Sequence, residues 1–291
     1  MERLSFYSEI RRNKIYSGML IFIVMAVLIA LGYVIGKAVG QGYFFFILII
    51  SIIFSLIYIL VGYYKSAEIA LASVNAKPAD RNSYRQYYNS VEGLTLASGL
   101  PMPKLYIMQN PQINAFASGR DPKHAVVCVT TGALEKLNKQ ELEGVLAHEL
   151  SHIANFDIRF MTLTAVLVGM IAIISEIFLR SLWFKSSDSD NKGNVIFLAI
   201  GIALAILAPI IVQLVQLAIS RKREYAADSS AVKFMRTPTP LINALTKIKS
   251  NSEMKVSGAV SPLFIAKPSR AAALFSTHPP IEDRIAKLKR M

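Results

Sequence analysis

His148-Glu149-Leu150-Ser151-His152 is the stretch of this chain with the clearest capacity for chemistry. Histidines at i and i+4 of a helix stand one turn apart on one face. Both imidazoles then reach a single zinc ion at about 2.0–2.1 Å. In this pattern the glutamate after the first histidine faces the water to be activated rather than the metal. It takes a proton from that water during attack and returns one to the leaving amine, while zinc polarises the scissile carbonyl and lowers the pKa of the water. Three fixed positions in five also arise by accident on solvated helices. Here the chain has 4 histidines and two of them make the motif.

A hydrolytic zinc site needs a third protein ligand and one open position. A third histidine eleven residues after the first would fall on Arg159, so that layout fails. His124 sits in a loop entering an apolar run, and His278 lies in Thr277-His278-Pro279-Pro280. A carboxylate from a later helix is the remaining route. The stretch Ser220–Asp228 supplies Glu224 and Asp228, four apart on one helical face. Glu224 can ligate zinc while Asp228 orients a ligand histidine from behind, as metal-bound histidines usually require. The same two acids also read as a solvated helix paired with Arg221 and Arg223.

Taken in order, the motifs resemble the HtpX family of integral-membrane zinc metalloproteases, which is related to the CAAX prenyl proteases. They are Asn114-Ala115-Phe116-Ala117-Ser118-Gly119, the His148–His152 motif, Ser220-Arg221-x-Arg223-Glu224-Tyr225-x-Ala227-Asp228, and Ser276-Thr277-His278-Pro279-Pro280-x-x-x-Arg284-Ile285. The resemblance covers nearly the whole chain. It implies one Zn2+ per chain, held by His148, His152 and Glu224, with Glu149 as general base and Asp228 behind a ligand. It implies that Ile113–Ser118 is an edge strand to which substrate backbone adds. It also implies that Asn114, His278 and Arg284 help hold the substrate carbonyl or the oxyanion. On the residues alone, His278 is a turn residue before two prolines and Arg284 a helix-surface charge beside Asp283.

These residues must be carried by a small set of elements. Asn138-Lys139-Gln140-Glu141 is a capping-box signal, so a long helix starts near Lys139 and runs through His148 and His152. Tyr84–Ser98 predicts an amphipathic helix. Lys104–Met108 and Ala125–Thr130 predict strands, with a short strand over Ile113–Ala117 between them. Around this polar part lie apolar runs. Tyr16–Gly36 is uncharged over 21 residues and Tyr43–Tyr64 over 22, and about 20 are needed to cross the hydrocarbon core. Phe160–Leu179, interrupted by Glu176, and Asn194–Ser220 are the third and fourth runs. Glu176 lies near the end of its run and reaches the interface, whereas Gln213 and Gln216 bond to a neighbouring helix or line a substrate path. Lys185–Gly193 is a polar loop between these runs.

The expected fold is a mainly α membrane protein. Four transmembrane helices carry a cytosolic α+β metallopeptidase domain of the gluzincin type with a small β-sheet. Residues 1–64 form the first transmembrane hairpin and 160–220 the second, while 65–159 and 221–291 are the two parts of the catalytic domain.

Composition and charge agree with this layout. Hydrophobic residues make up 53% and charged residues 18%, below the roughly 25% charge of a soluble domain. The net charge of +13 is gathered beside the apolar runs, at Arg11, Arg12 and Lys14 and at Arg221, Lys222 and Arg223. That is the distribution of orientation signals and headgroup contacts. A basic stripe laced with aromatics is missing, which sets nucleic acid aside. The single cysteine, Cys128, forms no intrachain disulfide and reads as a small buried apolar residue. With the N-terminal basic cluster inside, four spans return every basic cluster to one side. Both termini and the catalytic domain are then cytoplasmic. His152 lies eight residues before Phe160, about 12 Å along a helix, and Glu224 four after Ser220, about 6 Å. The zinc is therefore expected within one or two turns of the bilayer surface.

The activity this predicts is a membrane-bound zinc endopeptidase that cuts membrane proteins, misfolded ones above all, near the cytosolic surface. The resemblance implies a role in membrane-protein quality control under stress. A membrane zinc hydrolase acting on a prenylated peptide or lipid would use the same motif. A structural zinc site has no need of Glu149, and a zinc transporter would need ligands inside the spans, which contain neither His nor Asp.

Overall fold

The computed structural model describes residues 6–39, 41–164, 221–250 and 279–291. Most of the third apolar run, all of the fourth, Glu176, Gln213, Gln216, the loop Lys185–Gly193 and His278 lie outside these residues.

Helices α1 (Phe6–Val39) and α2 (Phe44–Tyr64) are joined by one 3-10 turn, Gln41–Tyr43, and pack as a hairpin. They approach closely at Gly32, where a Cβ would collide with Ser51. α2 has 21 residues, a mean hydropathy of 3.1 and only 11% of its apolar window buried. At 1.5 Å per residue it is about 31 Å long, the thickness of a hydrocarbon core. Among the described residues it is the one helix long and apolar enough to cross a membrane, and α1 adds the apolar segment Lys14–Ala30. Phe45, Phe46, Ile49, Ile53 and Leu60 of α2 are exposed, a surface that water would not tolerate on a soluble monomer.

After α3 (Ser66–Ser73) the chain enters an α+β unit. It comprises β1 (Lys77–Pro78), α4 (Arg85–Ser98), β2 (Lys104–Met108), β3 (Ala115–Gly119), β4 (Ala125–Thr130), α5 (Thr131–Lys136) and α6 (Lys139–Ala154). The sheet is mixed, in the order β1-β2-β4-β3. β4 is parallel to β2 and antiparallel to β3, and β1 is antiparallel to β2. β2 and β4 match the expected ranges. β3 starts two residues later than the expected short strand, and it lies at an edge of the sheet, as the family resemblance implies. The shift has a local cause. The Asn114 side-chain oxygen accepts from the Ala115 N–H at 3.0 Å and the Thr130 hydroxyl from the Asn114 N–H at 3.0 Å, side-chain bonds that replace the regular ladder just before Ala115.

α6 begins at the expected capping box. The Asn138 side chain accepts from the Glu141 N–H at 2.9 Å, and the Glu141 carboxylate accepts from the Asn138 N–H at 2.8 Å. Glu141 also receives Lys247 at 2.7 Å, fastening α8 (Thr239–Ser250) to α6. The two helices cross at Gly144, where a Cβ would lie 2.7 Å from the Leu241 nitrogen. Behind the sheet, Tyr87 of α4 donates to the Val127 carbonyl at 3.0 Å. Val127, Val129, Val145, Leu146, Leu150 and Ile153 form the centre of one core.

α6 does not run on into the third apolar run. It stops at Asn155, and Phe156 adopts φ 59°, a conformation rare for a bulky residue. Helix resumes over 157–164 in a new direction. There Phe160 and Leu163 pack against Leu20, Val24 and Leu28 of α1 and Tyr58 of α2. α7 (Arg221–Met235) and α9 (Ile281–Leu288) complete the unit against α6 and α8.

Candidate metal centre

α6 is buried from Gly144 through Ala154, so His148 and His152 are presented inside the protein and not to solvent. α7 packs along the same helix and brings Glu224 to them. His148 Nε2 and His152 Nε2 are 3.2 Å apart. Glu224 Oε2 lies 3.5 Å from His148 Nε2, and Oε1 lies 3.6 Å from His152 Nε2. Tetrahedral zinc with ligands at about 2.0–2.1 Å requires ligand atoms about 3.3–3.4 Å apart. The triangle fits that requirement, and two imidazoles with one carboxylate are a donor set zinc accepts. The three residues are the buried group among the described residues able to hold a metal ion.

Each histidine is held from behind by its own carboxylate. Asp228 Oδ1 is 2.9 Å from His148 Nδ1. Asp157 Oδ2 is 3.0 Å from His152 Nδ1. Such contacts fix which ring nitrogen is turned to the metal. Each carboxylate in turn meets a guanidinium. Arg284 grips Asp228 with two hydrogen bonds, 2.6 and 2.9 Å, and Arg223 Nε stands 3.3 Å from Asp157.

The sequence pointed to Asp228 but not to Asp157 or Arg223. In an unbroken helix a residue at i+5 turns about 140° away from i, so Asp157 offered no signal. The break in the helix at Phe156 is what lets Asp157 reach His152.

Glu149 is 2% exposed and follows His148 on α6. Burial pushes its carboxyl up, against the pull of both histidines and the Ala117 N–H of the β3 edge. Burial and Arg284 press the His148 ring down, yet Asp228 and Glu224 prevail and raise it to about 9 in the metal-free protein. Burial would raise Asp228, but the Arg284 guanidinium and the His148 ring hold it at about 2.

The remaining expected residues fall as follows. Arg284 is 1% exposed rather than on the surface. Its Nη1 is 3.5 Å from Glu224, and its Nη2 is 3.2 and 3.4 Å from the two ring nitrogens of His148. Asn114 is buried at the start of β3, its oxygen on the Ala115 N–H. His124 is engaged with Asp121 at 2.7 Å and takes no part in the cluster.

Comparison with known proteins agrees with this geometry. The model of the family described as Peptidase family M48 matches residues 82–291. The chain belongs to that family, which makes it a metallopeptidase. Two relatives show its place within the family. A "Protease HtpX homolog" of Thermoanaerobacter pseudethanolicus is 47% identical over 250 residues, covering 83% of this chain and 84% of that protein. Another, from Tropheryma whipplei strain TW08/27, is 41% identical over 291 residues, 98% of each. The chain thus stands with the HtpX proteases. Among solved structures, S. mikatae Ste24p shares the fold at a TM-score of 0.51 and 20% identity, over 95% of this chain; the chain spans 65% of that protein's length.

Proposed function

We propose that the protein is a membrane-bound zinc endopeptidase that cuts membrane proteins near the cytosolic surface of the bilayer, in the service of membrane-protein quality control. The observation that carries the reading is the His148–His152–Glu224 triangle with Glu149 beside it. Zinc held there would polarise a scissile carbonyl and acidify the attacking water. Glu149 takes one proton from that water as its oxygen bonds to the carbonyl carbon, and passes a proton to the amine nitrogen as the C–N bond breaks. A raised carboxyl suits a group that must both accept and return a proton. Asp228 and Asp157 keep the two rings turned toward the triangle. The outward edge of β3 is the place for substrate backbone to add. His278 and Asn114 are assigned to the carbonyl or oxyanion, while the grip of Arg284 on Asp228 favours a positioning part for that residue.

Depth in the membrane is argued from packing. Phe160 and Leu163 belong to the same cluster as α1 and α2, and His152 lies on the helix just before them. Four spans, a second hairpin over 160–220 and a catalytic domain in two parts follow from the hydropathy of the sequence.

The test is Glu149→Gln. The protein in proteoliposomes should lose cleavage of a misfolded membrane protein yet hold its zinc, since Glu149 serves water and not metal. A variant that loses zinc, or that still cleaves, overturns the assignment.

A further inference from the structure

We propose that Lys14, Arg120 and Arg159 form a site for the headgroup of one anionic phospholipid, where the α1–α2 hairpin meets the catalytic unit. The proposal rests on the membrane reading above and adds a specific lipid contact to it.

Three rings and three cations meet at this place. Lys14 Nζ stands 4.6 Å from the centre of the Phe156 ring, and the Arg159 guanidinium 5.5 Å from the same ring. Arg159 is also 5.9 Å from the Tyr63 ring. The Arg120 guanidinium is 5.0 Å from Tyr64, whose ring is 5.1 Å from that of Tyr63. Arg159 Nε donates to the Arg120 carbonyl at 2.6 Å, which binds the two arginines into one unit. Lys14 comes from α1, Tyr63 and Tyr64 from α2, Arg120 from just after β3, and Arg159 from the helical segment 157–164 that follows the turn after α6.

The depth of the cluster is set by the hairpin. Tyr63 and Tyr64 close the apolar length of α2, and Lys14 opens the apolar segment of α1 running the other way. Aromatic rings with Lys and Arg beside them are the composition of the headgroup level. The positive φ of Phe156 belongs here too. The half-buried Phe156 ring is the platform that Lys14 and Arg159 share.

Among the described residues little offsets the charge at this level. Among the described residues neither Lys14 nor Arg159 has an ion pair. Arg120 has only Asp121 at 3.6 Å, and that carboxylate is held more closely by His124 at 2.7 Å. Two cations over one ring repel each other unless an anion joins them. Arg120 and Arg159 are partly buried and Lys14 is exposed, so the cations open outward at the rim. A phosphodiester offers oxygens that guanidinium and ammonium groups take with short charge-assisted bonds. At this depth the phosphodiester within reach is that of a lipid.

The experiment uses the full zinc-loaded chain in nanodiscs of phosphatidylcholine with rising fractions of phosphatidylglycerol. Lipid that stays bound is counted by native mass spectrometry. The wild type should retain one phosphatidylglycerol in preference to phosphatidylcholine. Removing each cation should weaken that preference about fivefold, so Lys14→Gln with Arg159→Gln should nearly abolish it. Lys77→Gln with Lys104→Gln removes equal charge elsewhere and should leave it intact. Equal loss in both pairs, or no preference in the wild type, overturns the proposal. Inorganic phosphate titrated onto lipid-free protein in detergent should compete only weakly. Binding of phosphate as tight as that of the lipid would make this an anion site and not a lipid site. Should the Lys14/Arg159 variant lose zinc or fold, release of phosphatidylglycerol from the wild type by salt decides the matter. Failure of the protein to insert into any bilayer would instead refute the membrane reading.

Discussion

Asp157→Asn isolates what the turn after the zinc helix contributes. The carboxylate lies 3.0 Å from His152 Nδ1 and is 1% exposed. A buried hydrogen bond to a charged group is worth about 1.5–3 kcal/mol, and a neutral one about 0.5–1.5. Asparagine keeps the shape and loses the charge, so about 1–1.5 kcal/mol is removed, close to tenfold in zinc affinity. If the amide turns its NH2 to the ring, His152 is driven to the wrong tautomer and the loss moves toward 100-fold. Arg223→Met should act through the same carboxylate. Its effect should therefore not add to that of Asp157→Asn, with a coupling of about 0.5–3 kcal/mol in a double-mutant cycle. Zinc affinity is read by competition with a fluorescent chelator in detergent at fixed pH. Asp121→Asn, which touches only His124 and Arg120, serves as the control. Affinity within twofold of the wild type in Asp157→Asn would refute the argument that this carboxylate sets the ring.

Three further outcomes are expected. Because His148 is raised to about 9 without metal, the metal-free ring is charged at neutral pH and must lose its proton to bind. Zinc affinity should rise roughly tenfold per unit between pH 7 and 8.5 and level off above 9, with about one proton released per zinc at pH 7 in calorimetry across buffers; a flat profile would contradict it. Gly144→Ala places a Cβ 2.7 Å from the Leu241 nitrogen. It should destabilise the protein by about 1–2 kcal/mol, since overpacking of about 1–3 kcal/mol exceeds the helix propensity gained, as read by thermal inactivation; a neutral or stabilising result would show that α8 yields. In a background of Cys128→Ala, Ser189→Cys should react with an impermeant reagent on intact cells and Ser83→Cys only after lysis; the reverse pattern would place the catalytic unit outside.

What the sequence made legible is what short-range chemistry dictates. The capping box at Asn138 needs only four residues, and it sets the start of α6 at Lys139. The alternation and β-branching in Lys104–Met108 and Ala125–Thr130 suffice for β2 and β4. The apolar length of α2 is a matter of counting. What stayed hidden depends on distant contacts. The φ of Phe156 is imposed by the packing around it, and no residue type there announces it. With the turn unseen, Asp157 and its bond to His152 were unseen too. Arg284 reads as a surface charge because its partner, Asp228, lies 56 residues away in sequence. The start of β3 at Ala115 is likewise hidden, because the bonds around Asn114 come from its own side chain and from Thr130.

The charge inventory of the site explains why these hidden contacts matter. Glu149, Asp157, Glu224 and Asp228 are all buried, as are Arg223 and Arg284. With all six ionised and both histidines neutral, four carboxylates face two guanidiniums, a formal charge of −2 in a dry interior. Such an excess is costly to hold. A divalent cation brings it to zero, whereas a monovalent one would not. Without metal the protein can reach the same balance only by taking up protons. The two groups pushed toward their protonated forms are Glu149 and His148, the proposed base and a proposed ligand. Asp228, clamped by Arg284, is held ionised instead. Arg284 thus does more than position its carboxylate. It keeps Asp228, the group behind His148, charged, so that metal and a proton compete for the His148 ring.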